Sequence, residues 1–177
     1  RKNDREICMR AMRQLFAALV IVLSAGLAMA FDKGPPVGAK IPSQLDALDS
    51  GGVEQSFAKL KGEKGLVLVF IRATAWCPYC QKQVIELEAI RKDIEARGYR
   101  VAIVSTDTPE KLNEFRIRQK INFALLSDDK FRIIDEFDLR DPAYPPGKRF
   151  HGVPVPSIFF VSPTGEFGLL DLQVRNA

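Results

Sequence analysis

The stretch "GLVLVFIRATAWCPYC", residues 65–80, constrains the fold more than any other. Residues 66–71 are six apolar side chains in a row with no polar alternation. Such a run reads as a strand buried on both faces, so a layer of helix must cover each side of its sheet. Cys77 and Cys80 follow within a few residues of the strand's end, with Pro78 between them. Proline is ill suited to a helix interior but favoured at the first helical position, where its missing N–H costs nothing. Downstream, Val84, Leu87, Ile90 and Ile94 recur at helical spacing and Gly98 follows as a stop. The pattern predicts one helix that opens directly after Cys77 and runs to that glycine.

The rest of the chain repeats the alternation. Residues 100–105 and 122–127 read as buried strands, separated by a helix that Thr108 caps and Pro109 opens. Residues 128–139 carry Phe131, Ile134 and Phe137 on one helical face. A proline-rich loop at 140–156 leads to two strands, 157–162 and 166–172, joined by a Pro-Thr-Gly turn. Alternating strands and helices closed by a hairpin imply an α/β domain, a central mixed sheet flanked by helices. The cysteines then sit at the carboxyl end of a central strand, where open sheets keep their ligands.

The first thirty residues stand apart. A basic opening, an uncharged run at 15–30 and the ending Ala28-Met29-Ala30 read as a secretory signal peptide. The uncharged run is shorter than the roughly 20 residues of a comfortable membrane span, so an uncleaved anchor is the secondary expectation. Residues 31–52, rich in Gly, Pro and Asp, read as an extended N-terminal arm, and residues 53–177 as the folded domain. The leader carries most of the net charge of +4; beyond it, 21 basic face 20 acidic side chains. Nothing basic is left to argue for nucleic acid. The expected location is outside the cytoplasm, periplasmic in a bacterium.

Cys8 falls in the leader, which leaves Cys77 and Cys80. A structural zinc site needs four ligands, and one Cys pair with His151, the single histidine, does not supply them. A staple across so short a loop removes little chain entropy. Redox chemistry is the reading that remains, and it needs no metal or organic cofactor. At a helix start, Cys77 faces unpaired N–H groups and the positive end of the dipole, which stabilise a thiolate. Cys80, one turn on, is placed to attack a mixed disulfide on Cys77. Arg72 is a candidate source of further positive charge, Trp76 of a shield over the disulfide, and Tyr79 of a contact at the mouth.

The motif "AWCPYC" between a buried strand and a long helix resembles the thioredoxin superfamily, which implies the thioredoxin fold. Residues from about 34 to 172 resemble its redoxin branch, the AhpC/TSA or peroxiredoxin-like proteins. The likeness lies in "SFAKLKGEKGLVLVF", "ATAWCPYC" and "GVPVPSIFFVSPTGE". It implies a cis bond at Val155–Pro156 beside the cysteines, with the Val155 backbone offered to a bound thiol or peptide. Thr74 stands where the family's Pro-x-x-x-Thr-x-x-Cys pattern has threonine; Phe70 stands where it has proline. Ile71 occupies the position of the buried carboxylate of thioredoxins, so Glu88 or water is the candidate proton source for Cys80.

The first functional expectation is therefore an exported thiol–disulfide oxidoreductase using the Cys77/Cys80 couple on protein or small-molecule thiols, fed by an electron-donor partner. The alternative is a thiol-dependent peroxidase with Cys77 as the peroxide-attacking cysteine. A third is a copper carrier using Cys77, Cys80 and His151.

Overall fold

The computed structural model describes residues 33–42 and 44–168. The leader and Cys8 lie outside them, as does everything after residue 168. Twelve elements follow in order: β1 Ala47–Leu48, β2 Glu54–Gln55, α1 Phe57–Leu60, β3 Gly65–Phe70, α2 Pro78–Ala89, α3 Arg91–Ala96, β4 Tyr99–Ser105, α4 Pro109–Gln119, β5 Ala124–Ser127, α5 Arg132–Glu136, β6 Ser157–Val161 and β7 Phe167–Gly168.

Five strands form one sheet in the order β5-β4-β3-β6-β7. β3 runs parallel to β4, and β4 to β5, through helical crossovers. β6 and β7 close the other side antiparallel. All six residues of β3 are buried, as its unbroken apolar run requires. Successive side chains on a strand point to opposite faces, so the strands feed two cores. Leu66, Leu68 and Phe70 join Ala102, Val104, Leu126 and the α5 residues Ile133 and Ile134 on one face. Val67, Val69 and Ile71 join Ile103, Leu125, Val84, Leu112, Phe115 and both cysteines on the other. α2 and α4 thus pack on the cysteine side. Gly65 opens β3 at φ +125°, and a Cβ there would stand 2.0 Å from the Val161 carbonyl oxygen, so no other residue fits.

The N-terminal arm is more ordered than its composition implies. Residues 38–41 pair with 165–167 along the free edge of β7, with Phe167 N donating to Ala39 O at 2.9 Å. Ser50 N donates to Leu125 O at 2.9 Å on the opposite edge, beside β5. Between the two, Asp49 Oδ1 accepts from Gly51 N and Val53 N and turns the chain into the β1–β2 hairpin. One segment therefore covers both sheet edges, which would otherwise present unpaired backbone groups.

Two other expectations change. The single helix after Cys77 is two, broken at Ile90, whose backbone (φ −103°, ψ 6°) ends α2 and begins α3. Ile90 is half exposed, so the apolar spacing continued across a residue that buries little. Phe131 is not a helical residue of α5 but its left-handed N-cap, at φ 60°. Among the described residues no helix is long and apolar enough to cross a membrane.

Candidate active site

α2 begins at Pro78, and Cys77 is its N-cap in extended backbone. Cys77 Sγ accepts a hydrogen bond from Cys80 N at 3.2 Å, the place a serine or aspartate oxygen takes in an ordinary cap. Cys77 and Cys80 form a disulfide with Cα atoms 5.2 Å apart. Both are nearly buried, at 6% and 5% exposure. Tyr79, between them, is 87% exposed, so the pair lies under a surface and not in a deep cleft.

The residues ahead of Cys77 are held from a second strand end. Thr74 is fully buried, and its N–H and hydroxyl both donate to Asp107 Oδ2, the hydroxyl at 2.8 Å. Ser105 Oγ donates to the same oxygen at 2.9 Å. Thr106 Oγ1 donates to Arg72 O at 2.6 Å. Gln81 Nε2 donates to Thr74 O at 2.6 Å, tying the first turns of α2 back to the loop. Asp107 follows β4, the parallel neighbour of β3, so both strand ends reach the same edge of the sheet. Sequence reading passed over Asp107. The signal was available: "STD" directly after a second buried strand places two hydroxyls and a carboxyl beside the cysteine loop.

Ile71 faces the cysteine core. The Arg72 side chain is engaged by loop 141–153. Its guanidinium pairs with Asp141 Oδ2 at 3.2 Å and lies over the Tyr144 ring at 5.2 Å. Trp76 stacks on Phe150 with centroids 4.0 Å apart, and Phe150 meets Tyr144 edge-on at 6.1 Å. An aromatic row thus runs from Arg72 to Trp76 and fastens loop 141–153 beside the disulfide.

Four expectations are corrected. All peptide bonds of the described residues are trans, Val155–Pro156 included. The Val155 backbone is also not free for a substrate: its N–H donates to Leu139 O at 2.8 Å, and its carbonyl accepts from Ser157 Oγ at 3.0 Å. A bridge from Arg140 to Pro154 draws this segment onto the chain before the loop and uses up its donors. Glu88 is no proton source for Cys80. It lies two turns along α2, about 12 Å away at 1.5 Å per residue. There it accepts from Asn122 N and Nδ2 and from Arg91. Burial pushes the Glu88 carboxyl up, but these hydrogen bonds outweigh it and hold the group below its ordinary value. His151, finally, is not at the cysteines. It meets Phe131 edge-on at 6.2 Å and lies near Asp135. Among the described residues no cluster of three His, Cys, Asp or Glu side chains is placed to hold a metal. The three proposed copper ligands therefore do not converge.

The AhpC/TSA family profile matches residues 37–167, most of the chain. Peroxiredoxin Bcp of Escherichia coli K12 is 30% identical over 119 residues, 67% of this chain and 75% of that protein. The crystal structure of peroxidoxin BcpB from Mycobacterium tuberculosis superposes with a TM-score of 0.63 at 21% identity, covering 76% of this chain and 82% of that one. Peroxiredoxin Q of Xanthomonas campestris gives 0.63 at 23% identity, covering 75% and 84%. These structures share the thioredoxin-like fold that the sequence resemblance implied.

Proposed function

The chain belongs to the AhpC/TSA family, and on that premise we propose that it is a thiol-dependent peroxidase with Cys77 as the attacking and Cys80 as the resolving cysteine. The observation that carries the reading is the position of Cys77 as the N-cap of α2, with Cys80 N–H directed at its sulfur. Amide groups and the helix dipole at that place stabilise a thiolate over a thiol.

The proposed cycle balances as follows. The Cys77 thiolate attacks one oxygen of a hydroperoxide. An S–O bond forms, the O–O bond breaks, and the released alkoxide or hydroxide takes a proton. Cys77 is now a sulfenic acid, oxidised by two electrons. The Cys80 thiol displaces its hydroxyl as water and the disulfide forms. An external dithiol then attacks the disulfide and leaves with its own sulfurs oxidised, returning both cysteines to thiols. Trp76 and exposed Tyr79 are proposed to form the surface that meets this reductant. Thr74, Pro78 and the disulfide itself belong to the same local unit.

The first expectation, thiol–disulfide exchange on other proteins, becomes the second reading. It is favoured by the shallow seat of the disulfide beside Tyr79 and by Phe70 in the place of the family's proline. One pair of assays separates the two: consumption of hydrogen peroxide with a dithiol donor, and reduction of insulin by the same preparation. Fast peroxide turnover with slow insulin reduction supports the peroxidase. The reverse result replaces it with the oxidoreductase. Export remains part of the proposal, and cleavage after residue 30 on expression in a bacterium tests it.

A further inference from the structure

Charge is shared unevenly around the disulfide. Residues 72–85, which carry it, and residues 142–165, which carry the loop fastened beside it, contain no aspartate or glutamate. The same two segments hold Arg72, Lys82, Lys148 and Arg149. Residues 31–177 as a whole are nearly balanced, with 21 basic and 20 acidic side chains, so the carboxylates are concentrated elsewhere. Arg72 pairs with Asp141, and Lys82 with Glu86. Lys148 and Arg149 are exposed and have no ion-pair partner among the described residues. Arg149 holds its guanidinium over the Phe150 ring at 4.9 Å, and Phe150 stacks on Trp76, the neighbour of Cys77. Two unmatched cations thus border the disulfide across an aromatic pair, and exposed Tyr79 lies between the cysteines. An apolar centre with a polar rim is the anatomy of a protein–protein interface, where Trp, Tyr, Phe and Arg are enriched. Hydrogen peroxide is small and neutral and gains nothing from such a rim. The reductant is the reactant that brings a surface of its own.

We propose that Lys148 and Arg149 form the docking rim for a protein electron donor that carries acidic side chains around its own dithiol. This rests on the last step of the cycle proposed above, reduction of the Cys77–Cys80 disulfide by an external dithiol. The donor's apolar surface covers Trp76, Phe150 and Tyr79 while its carboxylates meet the two cations. Its leading thiolate attacks one sulfur of the disulfide. A mixed S–S bond forms, the Cys77–Cys80 bond breaks, and the departing sulfur takes a proton. The donor's second thiolate then attacks its own first sulfur and breaks the mixed bond. The donor leaves as a disulfide, and this chain keeps two thiols and two electrons. Exposed rim charges act mainly on the rate of encounter, and salt weakens them.

The probes are three synthetic peptides with a Cys-Gly-Pro-Cys dithiol, flanked by glutamates, by glutamines or by lysines, and dithiothreitol beside them. The oxidised native protein and a double variant, Lys148→Ser with Arg149→Ser, are reduced by each donor at low salt. Quenching with iodoacetamide and intact mass give the rates. Dividing the native rate by the variant rate for each donor cancels the effect of the flanks on the donor's own thiols. The ratio is expected to be about fivefold for the glutamate peptide, within about twofold of unity for the glutamine peptide and dithiothreitol, and below unity for the lysine peptide. At about 1 M salt the glutamate ratio is expected to fall to within about twofold of unity. A glutamate ratio near unity at low salt overturns the inference. So does equal slowing with all four donors, which makes the loop's shape and not its charge the cause, and so does a glutamate ratio that salt leaves unchanged. Peroxide is absent from these reactions. A native protein that consumes peroxide no faster than free cysteine therefore overturns the peroxidase reading and leaves the docking rim in place.

Discussion

Two loops meet at the carboxyl end of β3, and they are held in different ways. The loop before Cys77 is fixed by buried hydrogen bonds to Asp107 and Gln81, with Thr74 fully out of water. Loop 141–153 is fixed by the Trp76–Phe150 stack and by an Arg72–Asp141 pair whose arginine is 31% exposed. Breaking a buried bond leaves an unsatisfied group in a dry place, whereas the Arg72–Asp141 pair, at 31% and 11% side-chain exposure, is part-buried and reaches water on its arginine side. The first loop is therefore expected to hold more firmly, and the second to loosen first. A disulfide that has to be formed in one state and reached by a reductant in another benefits from one fixed wall and one that gives.

The sharpest break of this comparison lies in the cysteines themselves. Cys77→Ser is expected to abolish peroxide consumption, and Cys80→Ser to leave Cys77 as a sulfenic acid or a stable mixed disulfide, both seen by intact-mass measurement. Next comes Asp107→Ala, which strands two hydroxyls and an amide N–H. It is expected to lower stability by about 2–4 kcal/mol in urea unfolding, at the upper end of what stranded buried groups cost. Phe150→Ala removes one stacked aromatic pair and is expected to cost about 1 kcal/mol. It should raise hydrogen exchange across 141–153 while leaving residues 72–81 protected. Equal loosening of both loops would erase the distinction drawn here. Asp141→Asn is expected to cost under about 1 kcal/mol, since the arginine it pairs with is partly exposed.

The smallest effects concern pH, and here two carboxyls at α5 answer in opposite senses. Asp128 lies ahead of α5, its N–H bonded to Ser105 O at 2.8 Å and its carboxyl accepting from Ile133 N and Ile134 N. Burial pushes its carboxyl up, against the pull of the α5 amides and Arg132. The folded state thus binds the proton more tightly than the unfolded one, and stability falls as pH rises from the ordinary aspartate value through the raised one. Asp135 lies in α5 itself, hydrogen-bonded by Arg140, which holds its carboxyl down. Its contribution is present above the ordinary value and is lost as pH falls through the lowered one. Urea midpoints from about pH 3 to 7 should show Asp128→Asn removing the first slope and Asp135→Asn the second.

Much of this was legible along the chain. The apolar run at 66–71 dictated a doubly covered strand, and Pro78 dictated a helix start at Cys77, because both rest on local rules of burial and backbone geometry. Other readings failed where a distant residue intervened. Ile90 kept the helical spacing, yet the helix breaks there. Pro156 matched a family motif, yet Leu139 and Ser157 claim the Val155 backbone in a trans chain. Arg72 was near Cys77 in sequence, and its guanidinium is taken by Asp141 and Tyr144 of a distant loop.

The sequence by itself determined that a Cys-x-x-Cys pair caps a helix after a buried strand, since a strand, a proline and a thiol spacing act over a few residues. Only the tertiary structure decided what surrounds that pair. Asp107 comes from 30 residues beyond Cys77 and Phe150 from still further along. Their meeting with Thr74 and Trp76 depends on two strands lying side by side and one loop folding back. Such contacts follow from the packing of the whole sheet, and no pattern within one segment encodes them.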